Sequence, residues 1–239
     1  ERTEPFSVDL WINPNTVYPD AGIFYHCEDI RVGYKGYSLR LADNKLQFII
    51  AHSYPQNAIQ VSTVEALPEK KWAHITITYD GSSMAAGAKI YVNGKRVAYV
   101  TDFDNLYKGI LYTYNIHTYG FNGFTLGQRN LLIPFKDGGI DELKIFNQEL
   151  SALEVLYNHQ SEDVTEILEN PSVPAHITAM KDFYVSNFNI QNRNLRDSLK
   201  QALDQKNTII NEIPELMVMG DLPKPRPTYV LERGVYNAQ

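Results

Sequence analysis

The sequence predicts a mainly β chain: a two-sheet antiparallel sandwich, then a helical hairpin and an extended, Pro-rich tail. Three observations carry this. Residues 72–97, WAHITITYDGSSMAAGAKIYVNGKRV, read as three consecutive antiparallel strands. About ten short strand-like segments, separated by Gly, Pro, Asn and Asp, precede residue 150. Beyond that point capping signals and helical spacing replace the period of two.

Over residues 72–79, Ala73, Ile75, Ile77 and Tyr79 fall on one face and Trp72, His74, Thr76 and Thr78 on the other, as in a half-buried strand. Asn93-Gly94 then supplies the two positive-φ residues of a type I′ hairpin, which puts Ile90, Val92, Val97 and Tyr99 on one side. Residues 6–12 alternate likewise, and Asn13-Pro14 ends them. Residues 22–26 read as a second strand, and 37–41 pair with 46–50 through the Asp43-Asn44 turn. That pairing turns Tyr37, Leu39, Leu41, Leu46, Phe48 and Ile50 inward and leaves Arg40 and Gln47 together on the outer face. Residues 58–63, 123–127 and 139–146 complete the strands.

Ser151 and Glu154 form a capping box, and Leu150 with Val155 can staple the start of a short helix that closes the sandwich. After Asn170-Pro171, helical spacing returns over 177–185 and in Leu195, Leu199, Leu203, Ile210 and Ile213, which predicts two packed helices. From residue 215 onward Pro223, Pro225 and Pro227 forbid helix and favour an extended course. The chain thus divides into a sandwich over 1–160 and a helical and extended segment over 161–239.

Composition bounds the function. Of 239 residues, 44% are apolar and 21% charged, with a net charge of −6, an ordinary soluble globular balance. Acidity and the lack of a Lys/Arg run interleaved with aromatics argue against a nucleic-acid partner. No apolar stretch approaches the roughly 20 residues that span a bilayer. Cys27, the only cysteine, rules out an intrachain disulfide or a four-cysteine metal site. The chain starts at Glu1 without Met or an apolar leader and reads as a piece of a longer protein.

The W-x-H-[IV]-x-[IV]-[TS]-Y-D-G and Y-V-N-G-[KR] patterns at residues 72–81 and 91–95, with the closing G-G-I-D-E-L-K-I-F at 138–146, resemble laminin-G-like, concanavalin A-like jelly rolls over about residues 5–159. More narrowly, G-Y-x-L-x-L at 36–41, H-x-x-P-x-N-A-I at 52–59 and Y-D-G-S-S-x-A-A-G at 79–87 are similar to the jelly roll of a planctomycete-type family of cytochrome-associated envelope proteins. M-V-M-x-x-x-P-K-P-R-P-T-x-x-L-x-R-G-x-Y at 217–236 is similar to the opening of that family's C-terminal domain. This resemblance implies an extracytoplasmic, periplasmic or envelope location. It also implies further domains of the same polypeptide, with a haem-binding segment upstream and no haem in this stretch.

Several residues are candidates for chemistry, each with a structural alternative. Asp141 has the parity of Leu143 and Ile145, so a carboxylate points where core residues point and needs a partner. It is either a Ca²⁺ ligand, with Asp137 or with Asp20, Glu28 and Asp29, or an Asp bonded to backbone N–H groups at a strand end. Trp11, with Asp9, His74, Arg40 and Gln47, falls on predicted outward faces. There these residues could stack on and hydrogen-bond a sugar, or lie beneath the C-terminal helices. The Tyr-rich stretch 107–124, with Tyr112 and Tyr114, is a carbohydrate-contacting loop or a packed aromatic hairpin. Arg129 is a rim salt-bridge residue or a ligand residue, and Arg226 and Arg233 either recognise carboxylates or form parts of the entry into a next domain.

No paired-carboxylate strand signature E-x-D-x-x-E, nucleophile elbow, H-E-x-x-H motif or phosphate loop is present, so no catalytic residue is assigned. The expected role is a noncatalytic module for polysaccharide or glycoprotein, against a purely structural interdomain element or, third, part of a glycan-processing enzyme. No cofactor is certain, and calcium is the one candidate.

Overall fold

In the computed structural model, residues 1–28, 33–111, 123–129, 132–214 and 216 are described. Eleven strands are assigned: β1 (Phe6–Asn13), β2 (Ala21–Cys27), β3 (Gly36–Ala42), β4 (Lys45–Ser53), β5 (Asn57–Thr63), β6 (Ala73–Tyr79), β7 (Ala88–Val92), β8 (Lys95–Arg96), β9 (Tyr99–Asp104), β10 (Thr125–Leu126) and β11 (Gly139–Phe146). They form a five-stranded sheet in the order β11-β1-β6-β7-β8 and a six-stranded sheet in the order β10-β2-β3-β4-β5-β9. Every pairing is antiparallel, and the two layers share one interior. This is the predicted jelly-roll sandwich.

The period of two accounts for that interior. Val8, Leu10 and Ile12 of β1 meet Ile75, Ile77 and Tyr79 of β6, and from the other sheet come Leu39, Leu41, Leu46, Phe48, Ile50, Ile59 and Val61. Both hairpin turns behave as their residues require: Asp43 and Asn44 have φ of 50° and 57°, and Asn93 and Gly94 have 50° and 73°. Tyr99 packs on the core beside Val92 and Val97 as expected, but it belongs to β9, so the chain changes sheets directly after β8.

Four helices follow: α1 (Ala152–His159), α2 (Ser161–Glu169), α3 (Pro174–Asn187) and α4 (Ile190–Glu212). Three of them match the reading of the sequence, while α2 lacked a sequence-level start signal and its N-cap makes no side-chain bond. α1 begins with the full capping box, Glu154 N donating to Ser151 Oγ at 3.3 Å and Ser151 N to Glu154 Oε2 at 2.8 Å. Leu150 and Val155 join Tyr91 in a small apolar cluster that seats this helix on the outside of the five-stranded sheet.

α4 is tied to the sandwich by polar side chains. Arg2 Nε donates to Asn207 Oδ1 at 2.8 Å, Thr3 Oγ1 to Asp204 Oδ1 at 2.6 Å, Gly109 N to Asn211 Oδ1 at 2.8 Å and Lys108 Nζ to the Ile213 carbonyl at 2.6 Å. No helix among the described residues is long and apolar enough to cross a membrane. The predicted Pro-rich extended tail lies outside the described residues.

One expectation about register is corrected. Asp9 pairs with Lys144 but Trp11 with Asp141, so an extra residue of β11 sits opposite Leu10. Glu142 absorbs it with a φ of 49°. The bulge turns Ile140 and Leu143 to the core and leaves Asp141 exposed and Ile145 half exposed. Asp141 therefore does not share the parity of Leu143.

Gly94 holds the β7–β8 turn against α1. A Cβ there would meet Leu156 Cδ1 at 2.9 Å, on a backbone with φ of 73°. Gly94→Ala is expected to lower stability by about 1–2 kcal/mol, read from urea unfolding.

Candidate functional site

The outer faces of the two sheets differ, and the sequence candidates fall on both. On the five-stranded sheet, His74, Asp9 and Thr76 are fully buried. His74 Nε2 lies 3.0 Å from Asp9 Oδ1, and Thr76 Oγ1 donates to Asp9 Oδ2 at 2.6 Å. β1 and β6 bring them together because Asp9 pairs with Thr76 and Trp11 with His74. Trp11 is half-buried between His74 and His159 of α1, with ring centroids 5.1 and 5.8 Å away. Ser7 Oγ accepts from Leu150 N at 3.0 Å and donates to the Gln148 carbonyl at 2.8 Å.

Trp11 and His74 are thus corrected as ligand residues: their face is the seat of α1. The cover was expected from residues beyond 171. The covering helix instead starts at 152, and α3 and α4 flank a hollow of about 410 Å³ that also involves Lys89, Tyr91 and Glu149. Glu149 binds Lys89 of β7 and, at 3.4 Å, Arg196 of α4, so it links strand to helix. The Asp9–His74 pair is also no hydrolytic dyad. Thr76 bonds the carboxylate rather than the imidazole, and a substrate has no access to fully buried groups.

The six-stranded sheet carries the other two candidates. Arg40 of β3 stands opposite Gln47 of β4, and Arg40 Nε donates to Gln47 Oε1 at 2.8 Å. Their shared face was legible, but it is on the opposite side of the molecule's core from Trp11 and His74, so the four residues form no common groove. The row continues through Ser62, which pairs with Gln47, to Asp102 of β9. Asp102 Oδ2 accepts from Ser62 Oγ and, at 2.9 Å, from Gln60 Nε2, while Tyr54 OH donates to Gln60 Oε1 at 2.9 Å. Tyr54 packs edge-on against Phe103, 5.9 Å between centroids. Amides, a guanidinium, a hydroxyl and a carboxylate thus form a transverse band beside two aromatic rings, each held by a neighbour.

At the β2 end of this band, Arg40 Nη1 lies 3.5 Å from Asp20 Oδ2. Arg129 was expected in a salt bridge. It makes none among the described residues; its guanidinium carbon sits 4.1 Å from the Tyr34 ring centroid and 5.3 Å from that of Tyr25. Burial pushes the Tyr25 phenol well above the usual tyrosine range, Arg129 and Arg40 opposing the shift, so the hydroxyl keeps its proton. Sequence reasoning missed Tyr25, Tyr54, Gln60, Ser62, Asp102 and Phe103. Alternation along β5 could have flagged Gln60 and Ser62, whereas Tyr25 follows a bulge in β2 and Asp102 faces outward only because of a register shift between β5 and β9.

The metal candidates do not converge. Asp141 is exposed, and its Oδ1 accepts from Glu142 N at 2.8 Å. Asp137 is an exposed turn residue with φ of 60°. Among the described residues no group of three or more His, Cys, Asp or Glu side chains could hold an ion, so Asp137 and Asp141 do not fit a calcium cage. Asp29, Tyr112, Tyr114, Arg226 and Arg233 lie outside the described residues. Another hollow, of about 810 Å³, opens at the sandwich end near Phe6, His26, Tyr37 and Lys200. Its Glu1 carboxylate accepts from the backbone N–H groups of Arg2 and Ile110.

Comparison with known proteins places the sandwich in a family. The chain belongs to the concanavalin A-like lectin/glucanases superfamily, whose laminin G-type profile matches residues 1–156. Solved structures similar to it include the binding domain of botulinum neurotoxin DC in complex with rat synaptotagmin II, at 19% identity and a TM-score of 0.48, covering 66% of this chain and 36% of that one. Another is a candidate carbohydrate binding protein from Bacteroides ovatus, at 17% identity and a TM-score of 0.45, covering 64% and 40%. The chain thus spans well under half the length of these proteins. No curated protein sequence matches it.

Removing Asp9 strands a buried imidazole and hydroxyl. Asp9→Ala and His74→Ala are each expected to cost about 3 kcal/mol or more. The double variant should cost clearly less than their sum in a urea-unfolding cycle.

Proposed function

We propose that this chain is a noncatalytic carbohydrate- or glycoprotein-binding module of a larger, extracytoplasmic envelope protein, and that it binds through the outer face of its six-stranded sheet. The carrying observation is the transverse band of Arg40, Gln47, Gln60 and Asp102 beside Tyr54 and Phe103. A sugar needs planar polar groups for paired hydroxyl bonds and a ring for its apolar face, both already oriented. Weak single-site binding suffices where several domains of one polypeptide act together. The likeness of residues 36–41, 52–59, 79–87 and 217–236 to cytochrome-associated envelope proteins supports the location and the presence of further domains.

A second reading, an interdomain architectural element, is favoured by the other sheet. α1 covers that face, and α4 is anchored through Arg2, Thr3, Lys108 and Gly109 while exposing Leu195, Leu199, Ile209 and Ile213. The two roles are compatible, since they use opposite faces.

A glycan and glycoprotein array, with and without chelator, tests the binding role. Arg40→Ala and Gln47→Ala are expected to weaken retention about tenfold each with the melting temperature nearly unchanged. Absence of retention on every surface, or retention indifferent to both substitutions, would overturn the proposal. A rise in melting temperature with added calcium would restore the cation reading.

A further inference from the structure

Three polar atoms at the β2 end of the band are buried and have no hydrogen-bond partner among the described residues: Tyr25 Oη, Asp20 Oδ1 and Arg129 Nε. Tyr25 is only 3% exposed. Asp20 leads into β2 and Tyr25 lies in it, Arg129 follows β10 and sits over the Tyr25 ring, and Asp20 reaches Arg40. Gly22 pairs with Arg40, and a Cβ on Gly22 would touch Tyr25 Cε2 at 2.5 Å and Arg129 N at 3.2 Å. Leaving a buried donor or acceptor unpaired costs about 1–3 kcal/mol. Three such groups at one spot call for a partner that arrives from outside.

Their chemistry defines that partner. Among the described residues two guanidinium groups stand here with one carboxylate, an excess of positive charge, and the Arg129 side chain is held only by ring contacts. The ligand must therefore bring an anionic acceptor. Asp20 Oδ1 can only accept, so the ligand must also donate a hydroxyl. A neutral sugar leaves the charge uncompensated, and a bare inorganic anion would be repelled by Asp20. A carboxylate with hydroxyl groups on neighbouring carbons meets both demands.

We propose that Asp20, Tyr25, Arg40 and Arg129 form a subsite for an acidic sugar residue of the uronic-acid type. Arg129 swings off the Tyr34 and Tyr25 rings to bind the carboxylate together with Arg40. Tyr25 Oη donates to that carboxylate, and Asp20 Oδ1 accepts from an adjacent hydroxyl. The inference rests on the glycan-binding reading above and names the sugar class.

Titration calorimetry with galacturonate and glucuronate oligosaccharides, each against its carboxyl-reduced neutral counterpart, tests it. The acidic form is expected to bind roughly tenfold more tightly, and Arg129→Gln to bring the two forms within about twofold. Tyr25→Phe should cut the preference while melting no lower without ligand, because it deletes an unpaired hydroxyl. Asp20→Ala should weaken acidic-sugar binding. Tighter binding in Asp20→Ala, with inorganic sulfate competing as well as the uronate, would reveal a plain anion site and overturn the assignment. Equal binding of acidic and reduced forms overturns the subsite alone. Binding of neither form overturns the glycan reading with it.

Discussion

Asp9 sits where a carboxylate cannot be left alone. It lies on the second strand of the five-stranded sheet, on the side away from the shared interior, and is fully buried there with His74 and Thr76 as partners. Burying that trio requires a lid, which α1 supplies: Trp11 slots between His74 and His159, and Val155 and Leu150 pack on Tyr91. The lid in turn fixes where the helices after it begin. Glu149, just ahead of α1, then bonds one lysine on β7 and one arginine on α4, so the helical layer and the sheet share a charged joint.

With one sheet committed to the helices, the proposed recognition face lies on the other. There the polar side chains orient each other. Gln60 is held between Tyr54 and Asp102, and Gln47 holds Arg40. Preorganisation of this kind lowers the conformational entropy lost on binding, which matters for a flexible, hydroxyl-rich ligand that offers little apolar surface. The arginine stacked on two tyrosines beside the band is a different element, poised by weak contacts and free of competing hydrogen bonds among the described residues.

Local rules made most of the sandwich legible. Alternation placed Ile75, Ile77 and Tyr79 inward, two positive-φ dipeptides set two hairpins, and S-x-x-E with Leu150 and Val155 marked the start of α1. What failed was non-local. A strand's outward side reads the same whichever sheet the strand joins, so Trp11 and Arg40 looked like neighbours although they lie on different layers. A single extra residue at Glu142 inverted the parity from which Asp141 gained its apparent need for a cation. Asp102 was invisible for the same reason, its orientation arising from a shift against β5 that no pattern of residue types announces. Arg40 and Gln47 were legible as a pair because a tight hairpin alone sets their register.

The bulge in β11 has a further consequence for the molecule's social behaviour. Each sheet ends in one strand of two residues, β8 or β10, and one longer strand, β11 or β9, whose ladder to its neighbour is interrupted by a register shift. Outward acids and a lysine, Asp141, Glu142 and Lys144 on one and Asp102 and Asp104 on the other, line those longer margins. Among the described strands no border offers a long, flat run of open amides and carbonyls for a sister chain to zip onto. Sheet-to-sheet fusion between copies is disfavoured at these borders.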